Sequence, residues 1–429
     1  MALPRHPAFD LARQILGSPR FSAALTQAII GALVASLLVR ELIGWAGWLA
    51  ILAALVMLAS LSLLAQREEI EWHGLLPISL LVFVSWATIS VFWSEHNWAT
   101  AGSAIYLLAV TMLGIYIALI RDTIQIARAF GNVLRGALLL SLVLEIFAGV
   151  LIDSPLHFLA IAGKLDVLGP IQGIFGARNQ LGIVTLVAIV TFGTELRTRS
   201  VPRNLAIGSL VLGGLTLLLA RSPIAFGTFV IVALATLALY GLRRVAPERK
   251  RVWQFVLLAS TMTVGAIAWA VRSSLIDALS ASNELNLRLA IWRPIRLLIP
   301  SHELEGWGWA GRWWEGIPPF SYIPAGPPQS ALNAYLDVWF QVGLIGLFAF
   351  VFMVGLAFIR SWLLASRQRS FVYAWPALVL VVLLVTGLAE SSLLVEFGWL
   401  TFVVCSVKAS RELSWRKAFA ATRVPSRVQ

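Results

Sequence analysis

The sequence predicts an all-α integral membrane protein with about twelve transmembrane helices and one large extracytoplasmic loop. Three observations carry that expectation. The 429 residues are 59% hydrophobic and only 13% charged, with a mean hydropathy of +0.84, too apolar for soluble cores alone to bury. Apolar runs of about twenty residues, each able to cross a hydrocarbon core of roughly 30 Å, recur from Phe21 to Lys408. Lys and Arg, finally, alternate between rich and poor loops along the chain.

Residues 1–21 hold Pro4, Pro7 and Pro19 among charges, with no short apolar stretch followed by a small-residue cleavage site. They read as a cytoplasmic tail, and the first span as a retained anchor. Spans are expected at 22–39 and 42–65, parted only by Arg40-Glu41, then at 74–93 after the charged turn from Gln66 to Glu71. Next come 101–120, closed by Arg121, then 133–152, and 180–195, closed by Arg197. The pair 204–219 and 222–242 is divided by Arg221, and 253–271 follows the basic stretch from Arg243 to Arg251. The series ends with 333–359, 371–388 and 391–407, before a basic tail at 408–429. Residues 22–407 thus form a single polytopic domain. For the two close pairs, 22–39 with 42–65 and 204–219 with 222–242, a hairpin and one long kinked helix share the same signature.

Of the 33 Lys and Arg residues, 24 fall in the two tails and the loops of one side, leaving nine for the other. Short loops rich in positive charge stay cytoplasmic, so both termini are expected in the cytoplasm and the stretch 272–332 outside. The net charge of +12 is then a topology signal. No basic domain remains to bind nucleic acid. Cys405, the single cysteine, lies in the last span, so packing and not an intrachain disulfide must hold the outer loop. The five histidines and the carboxylates show no HxxxH, HExxH or CxxC spacing, which leaves no sequence case for a metal, and no other cofactor is expected.

The stretch 272–332 is the one break in the serial pattern. Asn283, Glu284, Asn286 and Arg288 lead into Ile291-Trp292-Arg293-Pro294-Ile295-Arg296, a short amphipathic helix expected to end near Pro300. A turn rich in Gly and Trp follows, Glu305-Gly306-Trp307-Gly308-Trp309-Ala310-Gly311, and then the proline-studded Ile317–Pro328. Long loops of this kind are functional or disordered. With Trp292, Trp307, Trp309, Trp313, Trp314, Phe320 and Tyr322, this one is too aromatic for disorder. Two readings fit the aromatics: a belt at the membrane interface, or a platform on which sugar C–H faces stack. The interleaved Arg288, Arg293, Arg296, His302, Glu303, Glu305, Arg312 and Glu315 favour a site.

Five motifs in order around this loop resemble those of the O-antigen ligase and polymerase superfamily of bacterial envelope proteins, which includes ExoQ-like exopolysaccharide proteins. Ser90-Val91-Phe92-Trp93-Ser94 resembles the family's S-x-x-W-S segment, and Gly176-Ala177-Arg178-Asn179-Gln180-Leu181-Gly182 its G-x-x-N-x-L-G segment. Ala220-Arg221-Ser222-Pro223 stands where the family has a turn containing Ser and Arg. Arg288-Leu289-Ala290-Ile291-Trp292 is similar to the G-R-x-x-x-W opening of the outer loop. The stretch from Gln329 to Asp337, with Gln341-Val342-Gly343-Leu344-Ile345-Gly346, is similar to the H-N-x-x-L … G-x-x-G segment that closes it. Two positions depart from the pattern: Leu287 stands for the glycine and Leu332 for the histidine.

The resemblance implies a metal-independent glycosyltransferase with a membrane-embedded GT-C-like fold. Its expected partners are a polyprenyl-(pyro)phosphate-linked glycan donor, a glycan or glycolipid acceptor, membrane lipids and polysaccharide-assembly proteins. Its expected place is the outer face of a bacterial cytoplasmic membrane. The residue chemistry agrees. A polyprenyl (pyro)phosphate leaves without being protonated if fixed positive charge meets it, and arginine binds phosphate oxygens in pairs at any working pH. Arg178, Arg221, Arg288 and Arg293 border helix ends and are the candidates, with snorkelling at the interface as the structural alternative.

An acceptor hydroxyl needs a base; His302, Glu303 and Glu305 are candidates, then Asp337, with Glu305 favoured because Gly306 lets the backbone bend beside it. Trp292, Trp307, Trp309 and Asn333 are expected to meet glycan, Asn333 alternatively as the N-cap of the tenth span. Glu145 and Glu390, at apolar depth, need partners, for which a site arginine would serve. A transporter or flippase of lipid-linked glycans is the second class. Carriers of the major facilitator type, however, put a charged glycine turn after the second span and their long loop in the cytoplasm. A catalytically silent assembly protein is the third, kept open by Leu332.

Overall fold

A computed structural model describes residues 7–68, 77–156, 159, 161, 163–165, 169–270, 282–314, 316–323 and 329–412. The tail 413–429, and residues 272–281, Glu315 and 324–328 of the expected outer loop, lie outside the described residues. The described helices are α1 (Pro7–Leu16), α2 (Pro19–Val34), α3 (Ser36–Ala65), α4 (Ile78–Ile89), α5 (Asn97–Ile120), α6 (Thr123–Ile146) and α7 (Arg178–Thr198). They continue with α8 (Arg203–Ala220), α9 (Pro223–Arg244), α10 (Lys250–Ala270), α11 (Ser282–Leu298), α12 (Ala334–Arg367), α13 (Ala374–Thr386) and α14 (Glu396–Glu412). Among them seven, α3 and α5–α9 with α12, are long and apolar enough to cross a membrane, and the helices at Pro19–Val34, Ile78–Phe92 and Phe371–Thr386 are shorter but equally apolar in kind. The chain is thus an all-helical integral membrane protein, as its composition requires.

Both close pairs are hairpins. Ser62, near the end of α3, donates to Leu16 O at 2.9 Å, which sets that end beside the start of α2. The turn is made at Ala35 and again at Gly44, whose φ of 72° is a left-handed value that suits glycine; residues 36–43 form a short crosspiece between the two bends. In the second pair Arg221 adopts φ 46° and Ser222 caps α9 through Ala225 N. At the other end of α9, Arg243 donates to the carbonyls of Gln368 and Ser370 at 2.6 Å each, just before α13. A hairpin wins in both places because one residue with positive φ ends the ladder of hydrogen bonds that a kinked helix would keep.

The centre of the bundle is α13 and α14, whose side chains are buried almost throughout. Trp375, Trp399, Phe402, Phe130, Phe83 and Phe350 fill it. Leu, Ile, Val and Phe side chains instead lie exposed along α3, α5, α8 and α9, for example Leu64, Ile105, Leu218 and Leu237. An apolar outside around an apolar inside is the arrangement expected for a lipid-facing bundle. Charge inside it is paired: Arg135 of α6 binds Glu195 of α7 at 2.6 Å, with Asn132 and Ser209 completing the set.

Residues 282–314, 316–323 and 329–333 cover one end of the bundle, here the loop end. Packing holds it there, as the lone cysteine demanded. Ile291, Ile295, Ile299, Trp313 and Phe340 make a small core of their own under α11. The main anchor is a break in α12, where Val342 and Gly343 leave helical geometry, Gly343 with φ 69°. Backbone groups freed by the break pair with the loop: Leu344 N with Glu303 O at 2.8 Å, and Gly308 N with Gln341 O at 2.7 Å. The approach is close enough that a Cβ on Gly343 would strike Leu304 O, and one on Gly306 would strike Gly343 N. This explains the first glycine of the G-x-x-G segment, Gly343, and Gly306 of the turn rich in Gly and Trp.

Candidate functional site

At the loop end the starts of α7, α9 and α11 and the turn after α13 converge on one charged cluster. Arg178, first residue of α7, ion-pairs with Glu284 of α11. Arg288, one helical turn later, binds Glu284 at 3.2 Å and Glu390 at 3.1 Å, and its Nε donates to Ala389 O at 3.1 Å. Asn179 donates to Glu390 Oε1 at 2.9 Å and accepts from Ser222 Oγ at 2.7 Å. Local sequence explains the convergence. Gly176, at φ 70°, turns the chain into α7, and Gly182 lets α7 approach Ala225 and Ser222 of the next hairpin.

The inner pairs, Arg178 and Arg288 with Glu284 and Glu390, balance one another and are partly hidden, and Arg221 adds one positive charge in excess. The side chains of Arg288 and Glu390 are 8% and 6% exposed, that of Arg178 36%. Burial pushes the Glu390 carboxyl up to about 7, while the charge of Arg288 and the Asn179 hydrogen bond work the other way. Both of those contacts fall on Oε1. Arg221 stands on the rim: its carbonyl accepts from Arg178 at 3.5 Å, its side chain is exposed, and its guanidinium has no partner among the described contacts. The cluster can therefore receive an anion at its open edge while the inner ion pairs stay fixed.

The structure thus gathers Arg178, Arg221 and Arg288, and it adds Glu284, Asn179 and Ser222. Arg293, five residues after Arg288, lies about 140° around the helix from it and is exposed, away from the cluster. His302 pairs with Glu305 at 3.0 Å and packs on Trp307, 4.1 Å between ring centres. Glu303 is exposed and uses only its carbonyl. These three sit beside the α12 break and make no contact with the arginines. Glu390 has the site arginine as its partner; Glu145 has two backbone amides instead, from Gln172 and Gly173 at 2.9 and 2.8 Å. A buried carboxylate in an apolar chain was the available signal for Glu390. Nothing in spacing alone joined Glu284 to Arg178.

Asn333 is the N-cap of α12, accepting from Tyr335 N and Leu336 N at 3.0 Å. Its side-chain nitrogen donates to Leu388 O at 3.0 Å, and so ties α12 to the turn that carries Glu390. Leu332 precedes it with φ 48°. Trp292 donates to Ala331 O at 2.8 Å, Trp307 reaches Leu298 O at 3.4 Å, and Trp309 packs edge-on to Phe83 in the main core. Asp337 is fully buried and accepts from Trp313 Nε1 and Ala331 N, a structural knot rather than an open base.

A second polar group lies further along the same wall. Glu396 binds Arg40 of α3 at 2.6 Å and Arg312 of the loop at 3.1 Å. It borders a cavity of about 610 Å³ between α3, α5 and the turn 309–314. Among the described residues no group of three or more His, Cys, Asp or Glu side chains is placed to hold a metal.

Residues 208–351 match the family described as O-Antigen ligase. The matched stretch carries Arg221, Glu284, Arg288, the loop and Asn333; Arg178 and Glu390 lie on either side of it. The resemblance read from the five motifs is borne out by this match. A search of curated proteins finds no match.

Proposed function

Given that resemblance to O-antigen ligases, we propose that the chain is a membrane glycosyltransferase that moves or polymerises glycan from a polyprenyl-(pyro)phosphate donor on the outer face of a bacterial cytoplasmic membrane. Twelve crossings, α2–α10 and α12–α14, carry it there, with both termini cytoplasmic and a GT-C-like arrangement. The observation that supports this most is the cluster of Arg178, Arg221 and Arg288 at the loop end. Arg288 and Arg178 are held by Glu284 and Glu390 before any substrate arrives, and Arg221 is free at the rim. Cations already in place where charge develops lower a barrier without reorganising.

In this reading the donor phosphate lies against Arg221 and the edge of Arg178, with Arg288 behind them. The acceptor oxygen forms a bond to the anomeric carbon as the bond to the phosphate oxygen breaks, and the polyprenyl (pyro)phosphate leaves with that electron pair. The acceptor proton goes to a carboxylate. Glu390 is our candidate for this role, supported by its contact with Arg288, by burial that pushes its carboxyl up to about 7 and by the second oxygen left over from its two contacts. Glu305, paired with His302, is the alternative base that the sequence favours.

Transfer of a labelled glycan from a polyprenyl-pyrophosphate donor by the purified chain, in excess EDTA, tests the proposal. Transfer that Glu390→Gln abolishes and Glu305→Gln spares supports it in full. No transfer with or without divalent ions, from any native donor, would favour the assembly-protein reading.

A further inference from the structure

At the end of the bundle away from the loop, α7, α9 and α12 finish close together, and each carries arginine in its last turn. These are Arg197 on α7, Arg243 and Arg244 on α9 and Arg367 on α12. Arg243 joins two of the ends. Its Nη2 donates to Gln368 O and Ser370 O just past α12, and its guanidinium lies 5.2 Å from the centre of the Phe371 ring. Arg369 stands between those two carbonyls. From the side of α7, the charge of Arg197 acts on Arg243.

Nearby carboxylates do not balance the group. Glu195 is taken by Arg135, Asp122 and Glu412 act on Tyr373, and exposed Glu248 forms no ion pair among the described residues. The carbonyl end of a helix carries about half a negative charge, so three ends supply roughly −1.5 against five arginines. Like charges held together repel, and an anion placed among them removes the repulsion. Donors remain for one. Arg197, Arg244, Arg367 and Arg369 are exposed, and of these four only Arg244 has a bonded partner among the described residues, the Tyr240 hydroxyl. The bonds of Arg243 all come from Nη2, which leaves its Nη1 and Nε.

An apolar track leads to this patch. Val230, Leu234, Leu237 and Gly241 precede Arg244 at steps of three and four residues, so they share one face of α9, and all are exposed. From Val230 to Arg244 the helix rises about 21 Å, more than one leaflet of a hydrocarbon core roughly 30 Å thick. A bare phosphate would use the arginines alone; a phosphate that carries acyl chains uses both features.

We propose that this patch is a binding site for an anionic phospholipid, its phosphate among Arg197, Arg243 and Arg244 and an acyl chain along the exposed face of α9. The arginine fork takes phosphate oxygens in pairs. In the proposed orientation the lipid belongs to the cytoplasmic leaflet. The site goes beyond the transferase reading and holds whether or not the chain moves glycan. It clamps the far ends of α7 and α9, the helices that carry Arg178 and follow Arg221 at the loop end.

Native mass spectrometry of the full chain, released from dodecyl maltoside micelles with equal amounts of dioleoyl phosphatidylglycerol and dioleoyl phosphatidylcholine, tests the site. Phosphatidylglycerol should be retained in preference by roughly tenfold or more, and Arg197→Gln with Arg244→Gln should bring the two lipids to within about twofold. Without added lipid that double variant should unfold at or above the wild-type temperature, because it removes repulsion and no bond beyond the one to Tyr240. Arg20→Gln with Arg128→Gln takes the same charge from exposed arginines near the starts of α2 and α6 and should leave the preference intact. Inorganic phosphate in large excess should not displace the lipid. Equal retention of the two lipids by the wild type would overturn the inference and leave the patch to an acidic protein segment. Equal loss in both double variants would reduce it to a general attraction of anions to this end, and displacement by inorganic phosphate would make it a site for free phosphate; either result overturns the lipid site.

Discussion

Arg288 and Glu390, 102 residues apart in the chain, meet at 3.1 Å with both side chains nearly sealed from solvent. One comes from the covering loop and the other from the turn after the central helix α13, so the pair fastens the loop to the bundle as well as setting a cation in the cluster. Removing one partner leaves a buried charge alone, which typically costs about 3–5 kcal/mol. Arg288→Ala is therefore expected to lower both thermal stability and glycan transfer, and Arg288→Lys to recover stability better than activity, because a point charge cannot replace the fork.

Arg221 separates the two effects. Its side chain is exposed and carries no structural bond, so Arg221→Ala should unfold at the wild-type temperature. If it meets the donor phosphate, transfer should fall roughly 100-fold, the loss of about 3 kcal/mol that follows from removing one preorganised charge contact. Transfer within a few-fold of wild type would assign Arg221 to the membrane interface.

Glu390 should give the protein a pH signature. Its carboxyl titrates at about 7 in the folded chain against an ordinary value of 4.5, so the folded state holds the proton more tightly. Its contribution to stability is then full below about 4.5 and is lost as the pH rises through about 7. Activity should run the opposite way, rising through the same range as the carboxylate becomes able to accept a proton. Glu390→Gln should flatten the stability trend over that window and abolish the rise in rate; an unchanged pH–rate profile would move the base to Glu305.

Gly343 and Gly306 should tolerate no side chain. Each has a positive φ, 69° and 73°, and each would drive a Cβ into the other strand of the loop contact. Alanine at either position should lower the melting temperature of the purified protein, by strain of order 1–3 kcal/mol plus the displaced backbone pairing. Alanine at Gly355 of the same helix, where a Cβ meets nothing within 4 Å, is the control and should be neutral or slightly stabilising.

Orientation is testable in cells. A reporter fused after Gln429 should be cytoplasmic, and a tag between Glu315 and Pro319 should be reached by a reagent that does not cross the membrane. Protection of that tag in intact cells would reverse the assignment made from the 24 positive residues on one side.

The sequence by itself determined the class of this protein, because apolar content, run length and charge placement are properties that need no contacts to be read. It also marked Arg178, Arg221, Arg288 and Arg293 as a set, three of which meet and one of which, Arg293, points elsewhere, and it carried motifs that fix local turns: Gly176 before α7, Ser222 capping α9, Asn333 capping α12. What only the tertiary structure decided is which side chains meet. Glu284 and Glu390 complete the cluster from elements 106 residues apart, and His302 with Glu305 turns to the α12 break. Glu396 joins Arg40 to Arg312 across most of the chain. The reason is physical: a helix start or a span is set by neighbours within a turn or two, whereas a buried ion pair depends on which helix faces pack, and packing between helices carries no periodic trace in either sequence.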